Sequence, residues 1–105
     1  VRDPAPGFVV LAEAGGAPLG FATVQRMAAV TTRGTQLCLD DLFVLRRHRR
    51  TGLGRALLRG VVAVARATDA AYLYLHVRPD NDAARALYAA EGLTPGDDVL
   101  YEWYR

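Results

Sequence analysis

The residues best suited to chemistry are the arginines and glycines between Arg46 and Arg59. Six arginines lie within these fourteen residues, and Gly52 and Gly54 stand among them. The glycines directly precede a segment in which apolar residues recur every three or four positions, as in a helix. The first amides of a helix have no partner inside it, and together with the helix dipole they attract anions. This segment therefore predicts a binding site for a phosphate or a pyrophosphate.

The arginine cluster has two other interpretations. A basic run can bind nucleic acid, and such binding would depend strongly on salt. No aromatic residues are interleaved with these arginines, however, and single-strand binders use such residues for stacking. A charge run can also be only a solvated face. The glycine turn inside the cluster favours a small phosphorylated ligand over both alternatives.

Composition limits the class of protein. With 105 residues, 51% of them hydrophobic, we expect one domain over residues 1–105. No apolar run approaches the ~18 residues that cross a bilayer, so we expect no membrane partner. Cys38 is the single cysteine and cannot form an internal disulfide, which fits a reducing, cytoplasmic location. Its apolar neighbours place it in the core rather than in a reactive site.

The elements that must position the basic turn follow from pattern and turn signals. A hairpin turn at Gly15–Pro18 joins the first two strands, and residues 31–34 break the pattern before the third. The predicted elements are strands at 8–14, 19–30 and 35–45, a basic turn at 46–52, a helix at 53–68, a strand at 71–77, a helix capped by Asp80 or Asn81 and ended by Gly92, and a last strand at 99–104.

This order predicts an α/β fold with a mixed, mostly antiparallel sheet. Three strands form an antiparallel meander, and a crossover through the first helix then makes a βαβ unit. Residues 71–77 are apolar or aromatic on both faces, as in a central strand that is covered on both sides. Ligands of such units bind near the carboxyl ends of the strands, where the basic turn lies.

Three segments together resemble the GNAT superfamily of acyl-CoA-dependent N-acyltransferases. The strand 39–44 is followed by Arg49–Gly54, which fits the family's Q/R-x-x-G-x-G/A pyrophosphate loop at every defined position. Residues 81–93 are similar to the family's Asn…Tyr…Gly-Phe helix. The order and spacing also match, and the resemblance extends from about Phe8 to Tyr104.

The resemblance implies acetyl-CoA as the acyl-donor cosubstrate and no metal. Loop amides would hold the pyrophosphate, and the third strand would bind the pantetheine arm through its backbone. Asn81 would cap its helix, contact the pantetheine, or do both. The implied cofactor-binding residues are Leu42, Phe43, Val44, Arg49, Arg50, Thr51, Gly52, Leu53, Gly54, Arg55 and Asn81. His48 and His76 have no second ligand at metal-binding spacing.

The resemblance also implies catalytic residues. A tyrosine at the position of Tyr88 would protonate the leaving thiolate, although periodicity alone would make Tyr88 a core aromatic. Asp40 and Asp41 are adjacent, so they point to opposite faces of the strand unless a bulge intervenes. We favour Asp40 as the acidic residue of the acceptor site, because similar polyamine acetyltransferases carry an acid there. The alternative is that both balance the arginines.

The implied activity is direct transfer of an acetyl group to a primary amine, which is a small molecule, a polyamine-like cation or a peptide amine. Typical members carry a strand and two helices before the segment that begins here at Phe8, and these wall the acceptor cleft. Their absence is compatible with a fragment, a compact variant or a homodimer that completes the cleft. The alternative function is a non-catalytic acyl-CoA-binding or regulatory module.

Overall fold

A computed structural model describes residues 7–29, 34–68, 70–97 and 99–105. Apart from the last predicted strand, the elements begin and end close to their predicted positions. The predicted break at residues 31–34 lies, apart from Gly34, outside the described residues. The elements are β1 (Gly7–Ala14), β2 (Ala17–Ala29), β3 (Gly34–Val44), a 3₁₀ turn (Arg46–His48), α1 (Leu53–Ala67), β4 (Ala70–Leu75) and α2 (Asp82–Ala90).

The sheet has the predicted mixed character. Its strands lie in the order β1-β2-β3-β4. β2 pairs antiparallel with both β1 and β3, whereas β4 pairs parallel with β3. The chain reaches β4 from β3 through α1, because parallel neighbours need a crossover connection. The fold class expected from the sequence is therefore confirmed, with the basic turn between β3 and α1.

The core lies between α1 and one face of the sheet. Leu57, Leu58 and Val61 of α1 are at most 2% exposed. They pack against alternate residues of the two central strands, which turn every second side chain to the same face. Burying one such aliphatic side chain contributes about 1.5–3 kcal/mol. The strand residues of this core cluster are Ala22, Val24, Leu37 and Leu39.

The backbone of β3 comes very close to Gly20 of β2. A Cβ at Gly20 would lie 2.6 Å from the carbonyl oxygen of Phe43. Real Cβ atoms are not found so near a backbone oxygen, so a larger residue would have to push the two strands apart. Glycine at this position keeps β3, and with it the start of the basic turn, tightly docked on β2.

Two expectations about the carboxyl-terminal half are wrong. Among the described residues β4 is an edge strand, and Ala71 and Tyr72 are exposed, so the apolar run is not covered on both sides. The described residues 99–105 form no strand, and Tyr101 is 91% exposed. A strand needs a ladder partner, and in the described part of the chain no strand pairs with this segment.

Candidate functional site

The loop between β3 and α1 presents a row of free backbone donors. Gly52 is the N-cap of α1, with a left-handed φ of 88°, and no side chain caps the helix. Thr51 instead donates its hydroxyl to the carbonyl of His48. The amide of Arg49 bonds Arg46, and the next bonded amide is that of Ala56. Among the described residues, the six amides of residues 50–55 therefore bond no protein acceptor.

The glycines keep this row open. In the described part of the chain nothing lies within 4 Å of where a Cβ of Gly52 would be. A positive φ disfavours side chains with a Cβ, so glycine suits this turn. Arg50 also has a positive φ, of 63°, which is uncommon for a non-glycine residue. The backbone is bent so that successive amides are available to one anion.

The charge around the loop is not neutralised locally. Of the six arginines between 46 and 59, only Arg55 and Arg59 contact a carboxylate within the described residues. Arg46, Arg47, Arg49 and Arg50 are exposed. Within the described part of the chain, guanidinium groups without a carboxylate partner lie beside amides without an acceptor. This combination favours a phosphate or diphosphate, because arginine binds phosphate oxygens through its forked donors. The binding of a phosphate or diphosphate by this loop stays a prediction.

Strand β4 ends before β3 does, on the side of this loop. The pairing of the two strands begins at Thr35 with Ala70 and ends at Leu39 with Leu75, which is the last residue of β4, whereas β3 continues to Val44. Among the described residues, the last five residues of β3 therefore have no strand partner on that side. Leu45 donates its amide to Leu19 of β2, and successive residues of a ladder turn to alternate edges. The N–H and C=O groups of Val44 consequently point to the free edge of β3.

A bulge in β3 places both aspartates on the same face of the sheet. Thr23 pairs with Asp41 and Val24 with Leu39, so Asp40 is the extra residue. Asp41 accepts a 2.7 Å hydrogen bond from Thr23, whose side chain points away from the core. The sequence left open whether a bulge intervenes here; it does, and the two carboxylates therefore do not face opposite sides.

Asp40 lies beside Cys38 on the face opposite α1. The Sγ atom of Cys38 donates to Oδ1 of Asp40 at 3.5 Å. Cys38 is 8% exposed, as predicted for a core cysteine. Burial is the main cause that raises the pKa of its thiol, so it is a poor nucleophile. The Tyr74 ring on β4 completes this patch and stacks on Tyr72 with centroids 5.5 Å apart.

Helix α2 carries the tyrosine that the sequence singled out. Asn81 is its N-cap and accepts a bond from the amide of Ala84 at 3.2 Å, which confirms the predicted cap. Gly92 ends the helix with a φ of 92°, as expected. Tyr88 is half-buried against the core cluster, and burial raises the pKa of its phenol.

Contacts between α1 and α2 join this helix to the basic loop. A Cβ at Gly54 would lie 3.8 Å from Leu87. Glu91, at the C-cap of α2, accepts a hydrogen bond from Nε of Arg59 at 2.7 Å and forms an ion pair with Nε of Arg55 at 3.3 Å. The hydrogen bond from Arg59 is the main cause that lowers the pKa of Glu91.

Sequence reasoning did not single out Glu91. The only available signal was that Arg55 and Arg59, four residues apart, share one face of α1 and require an acidic partner. The periodicity of α1 does not say which carboxylate that partner is.

The structure thus brings most of the predicted site residues to one corner of the fold. The loop 49–55 and the free end of β3 (42–44) adjoin, and Leu87, next to Tyr88, contacts the start of α1. Asp40 is on the other face of the sheet, with Cys38. Asp40 and residues 42–44 nevertheless belong to the same stretch of β3, which β4 does not pair.

This fold and loop are those of an acetyltransferase class. The sequence model of the acetyltransferase (GNAT) family matches residues 1–93, and the chain belongs to this family. It is 36% identical over 81 residues to the N-alpha-acetyltransferase RimI of Mycobacterium tuberculosis. That match covers 77% of the chain and 48% of the relative, so the chain spans about half the length of the curated relative.

Solved structures have the same fold. An integron cassette protein from the mobile metagenome of V. cholerae superimposes with a TM-score of 0.81 at 25% identity, over 92% of this chain and 60% of that one. The ribosomal-protein-alanine N-acetyltransferase of Brucella melitensis biovar Abortus 2308 gives a TM-score of 0.80 at 21% identity, over 92% and 70%. At the latter identity the likeness concerns the fold alone.

The described residues contain neither a membrane-spanning helix nor a metal-binding cluster. Neither described helix has the length and apolar character needed to span a bilayer. Within the same residues, no group of three or more histidine, cysteine or acidic side chains is arranged to hold a metal ion.

Proposed function

We propose that the chain is an N-acetyltransferase that moves an acetyl group from acetyl-CoA directly to a primary amine. The observation that carries this proposal is the row of six unpaired amides at residues 50–55, in a chain of the GNAT family. The likeness to an N-alpha-acetyltransferase makes a peptide α-amine the first acceptor to test. A cytoplasmic location follows as part of the same proposal.

The residues present fit coenzyme A. Loop amides of residues 50–55 and the unpaired guanidinium groups would hold the diphosphate, and the glycines leave room for it. The backbone of Leu42, Phe43 and Val44 would bind the pantetheine arm, since this part of β3 has a free edge among the described residues. Asn81 remains a second proposed contact for that arm. When bound, acetyl-CoA supplies an acyl group activated as a thioester.

The proposed roles of the side chains follow from their positions. Transfer forms a C–N bond and breaks a C–S bond, so the amine must lose a proton and the sulfur must gain one. A tyrosine of ordinary pKa, about 10, is protonated at neutral pH, and burial raises the pKa of Tyr88 further; Tyr88 would donate its proton to the sulfur. Asp40 would attract the cationic amine or take its proton. Free N–H groups of β3 would stabilise the oxyanion.

A thermal-shift experiment tests cofactor binding directly. A ligand that binds only the folded state raises the melting temperature, so we expect a rise with coenzyme A, acetyl-CoA and longer acyl-CoAs. Pantetheine, which lacks the diphosphate, is the matched control and should give a much smaller shift at equal concentration. The absence of a shift with coenzyme A would contradict the proposal. Release of free thiol with a panel of peptide and polyamine acceptors then tests transfer.

A non-catalytic acyl-CoA-binding module is the second candidate. It is favoured by one observation, namely that no described element covers the sheet face carrying Asp40, where Val9 and Leu11 are 61% and 52% exposed. A homodimer could cover this face and complete an acceptor cleft. The two candidates differ in turnover: a binding module shifts with coenzyme A but releases no thiol with any acceptor.

A further inference from the structure

Glu91 is an unusual residue for the place it occupies. It is the C-cap of α2, where the helix dipole is negative and disfavours a carboxylate. Its side chain is nevertheless only 10% exposed. Two arginines of α1 compensate for this charge: Arg59 donates through Nε at 2.7 Å and Nη2 at 3.3 Å, and Arg55 lies at 3.3 Å.

Glu91 is close to both Tyr88 and the loop with the free amides. Tyr88 lies three residues before Glu91, and its carbonyl oxygen accepts the amide of Glu91 at 3.2 Å. Arg55 is the last residue of the loop with the free amides. Glu91 uses only the Nε atom of Arg55, and no other bond to this side chain occurs among the described residues. Its two Nη groups therefore remain available to an anion.

We propose that Glu91 is a positioning residue that fixes helix α2, and with it the Tyr88 phenol, against the cofactor loop. This inference rests on the proposed function. Leu87 and Tyr88 pack on the core cluster, but no residue of α2 is completely buried. The pairs of Glu91 with Arg55 and Arg59 add a directional contact to this apolar packing and join α2 to α1 beside the loop.

Replacing Glu91 should affect the binding of coenzyme A and the turnover differently. Replacing Glu91 by glutamine keeps the shape but removes a negative charge next to the loop, so attraction for a diphosphate does not fall. The neutral amide holds two guanidinium groups less firmly, so Tyr88 is placed less accurately. Small displacements of a proton donor reduce rates severely. Glu91→Gln should therefore lower kcat about tenfold and leave the Kd for coenzyme A unchanged or lower.

The experiment measures kcat with a saturating amine and the Kd for coenzyme A by calorimetry. The proteins compared are the wild type, Glu91→Gln, Arg59→Gln and Arg78→Gln. Arg59→Gln removes the 2.7 Å contact but keeps Arg55, so its kcat should fall less than that of Glu91→Gln. If Glu91→Gln does not fold, Arg59→Gln still tests the positioning role. Arg78 forms an exposed ion pair with Asp80 at 3.3 Å, and its replacement should change neither quantity.

The possible outcomes distinguish the positioning role of Glu91 from the proposed acetyltransferase function. A fall in kcat with unchanged coenzyme A affinity in the Glu91 or Arg59 variant supports the positioning role. Wild-type kcat in both variants overturns it, as does an equal loss of kcat and affinity, which would indicate a merely structural role. A wild type that binds coenzyme A but transfers to no amine overturns the proposed function, and this role of Glu91 with it.

Discussion

Arg49 donates a hydrogen bond from Nε to the carbonyl oxygen of Val44 at 2.9 Å, while its guanidinium lies 5.7 Å from the centre of the Phe43 ring. The bond joins Arg49, the first residue of the loop 49–55, to Val44, the last residue of β3. Because the Val44 carbonyl lies on the free edge of β3, beyond the end of β4, Arg49 stands where the proposed pantetheine and diphosphate sites meet.

Replacing Arg49 should weaken coenzyme A binding. Arg49→Met keeps an apolar stem of similar length but removes the charge and the bond to Val44. A charge-assisted hydrogen bond contributes about 1.5–3 kcal/mol, so the Kd should rise about tenfold or more. Calorimetry with coenzyme A measures this change. Arg66→Met, an equal charge change far along α1, is the control, and equal losses in both would show that only net charge matters.

Gly52→Ala should separate stability from binding. Alanine at a left-handed φ costs about 1 kcal/mol, and its Cβ would extend into the open space above the loop. Gly16→Ala is a close match, since Gly16 has a φ of 81° and open surroundings in the β1–β2 turn. Both variants should lose similar stability in urea unfolding, yet only Gly52→Ala should lose coenzyme A binding. Similar binding by the two would refute the role of this loop.

Tyr88→Phe removes the proposed proton donor and little else. Because the phenol accepts and donates no hydrogen bond among the described residues, its loss should leave folding intact. General acid catalysis typically contributes about 10²–10⁴-fold, so kcat should fall by at least about a hundredfold with unchanged coenzyme A affinity. Steady-state kinetics and calorimetry measure the two quantities. Retention of most of the turnover would mean that water or another group protonates the sulfur.

Much of this fold could be predicted from the sequence because its local signals agree with one another. The period of α1, the Asn81 cap and the glycine that ends α2 each depend on neighbouring residues only. The basic turn could be recognised as easily, because its glycines and arginines lie close together in the sequence. These features are governed by backbone sterics and hydrogen bonds that a short window contains.

The failures concern interactions between distant segments. The bulge at Asp40 depends on how β3 registers with β2, and alternation within β3 cannot reveal it. Tyr72 was expected to be covered because its strand is apolar on both faces, but coverage depends on which elements pack there. The partner of Arg55 and Arg59 likewise lies more than thirty residues away, at Glu91.

Cys38 should be resistant to alkylation in the folded protein. It is 8% exposed, and burial raises the pKa of its thiol, so thiolate is scarce and poorly accessible at neutral pH. Intact-protein mass spectrometry with iodoacetamide should show slow labelling that becomes fast in urea. Rapid labelling of the native protein would show that the face carrying Asp40 opens readily. Cys38→Ala should retain transfer activity, because direct transfer forms no acyl-enzyme.

The Glu91 ion pairs should make stability depend on pH in a defined direction. The arginines lower the folded-state pKa of Glu91 below its ordinary value of about 4.5. Its stabilising contribution is therefore complete above that ordinary value and is lost as the pH falls through the lower, folded value. Urea unfolding of wild type and Glu91→Gln should give a constant difference near neutral pH and a shrinking one below about pH 4.5. A difference that stayed the same in acid would show that the carboxylate charge is not what joins α2 to α1.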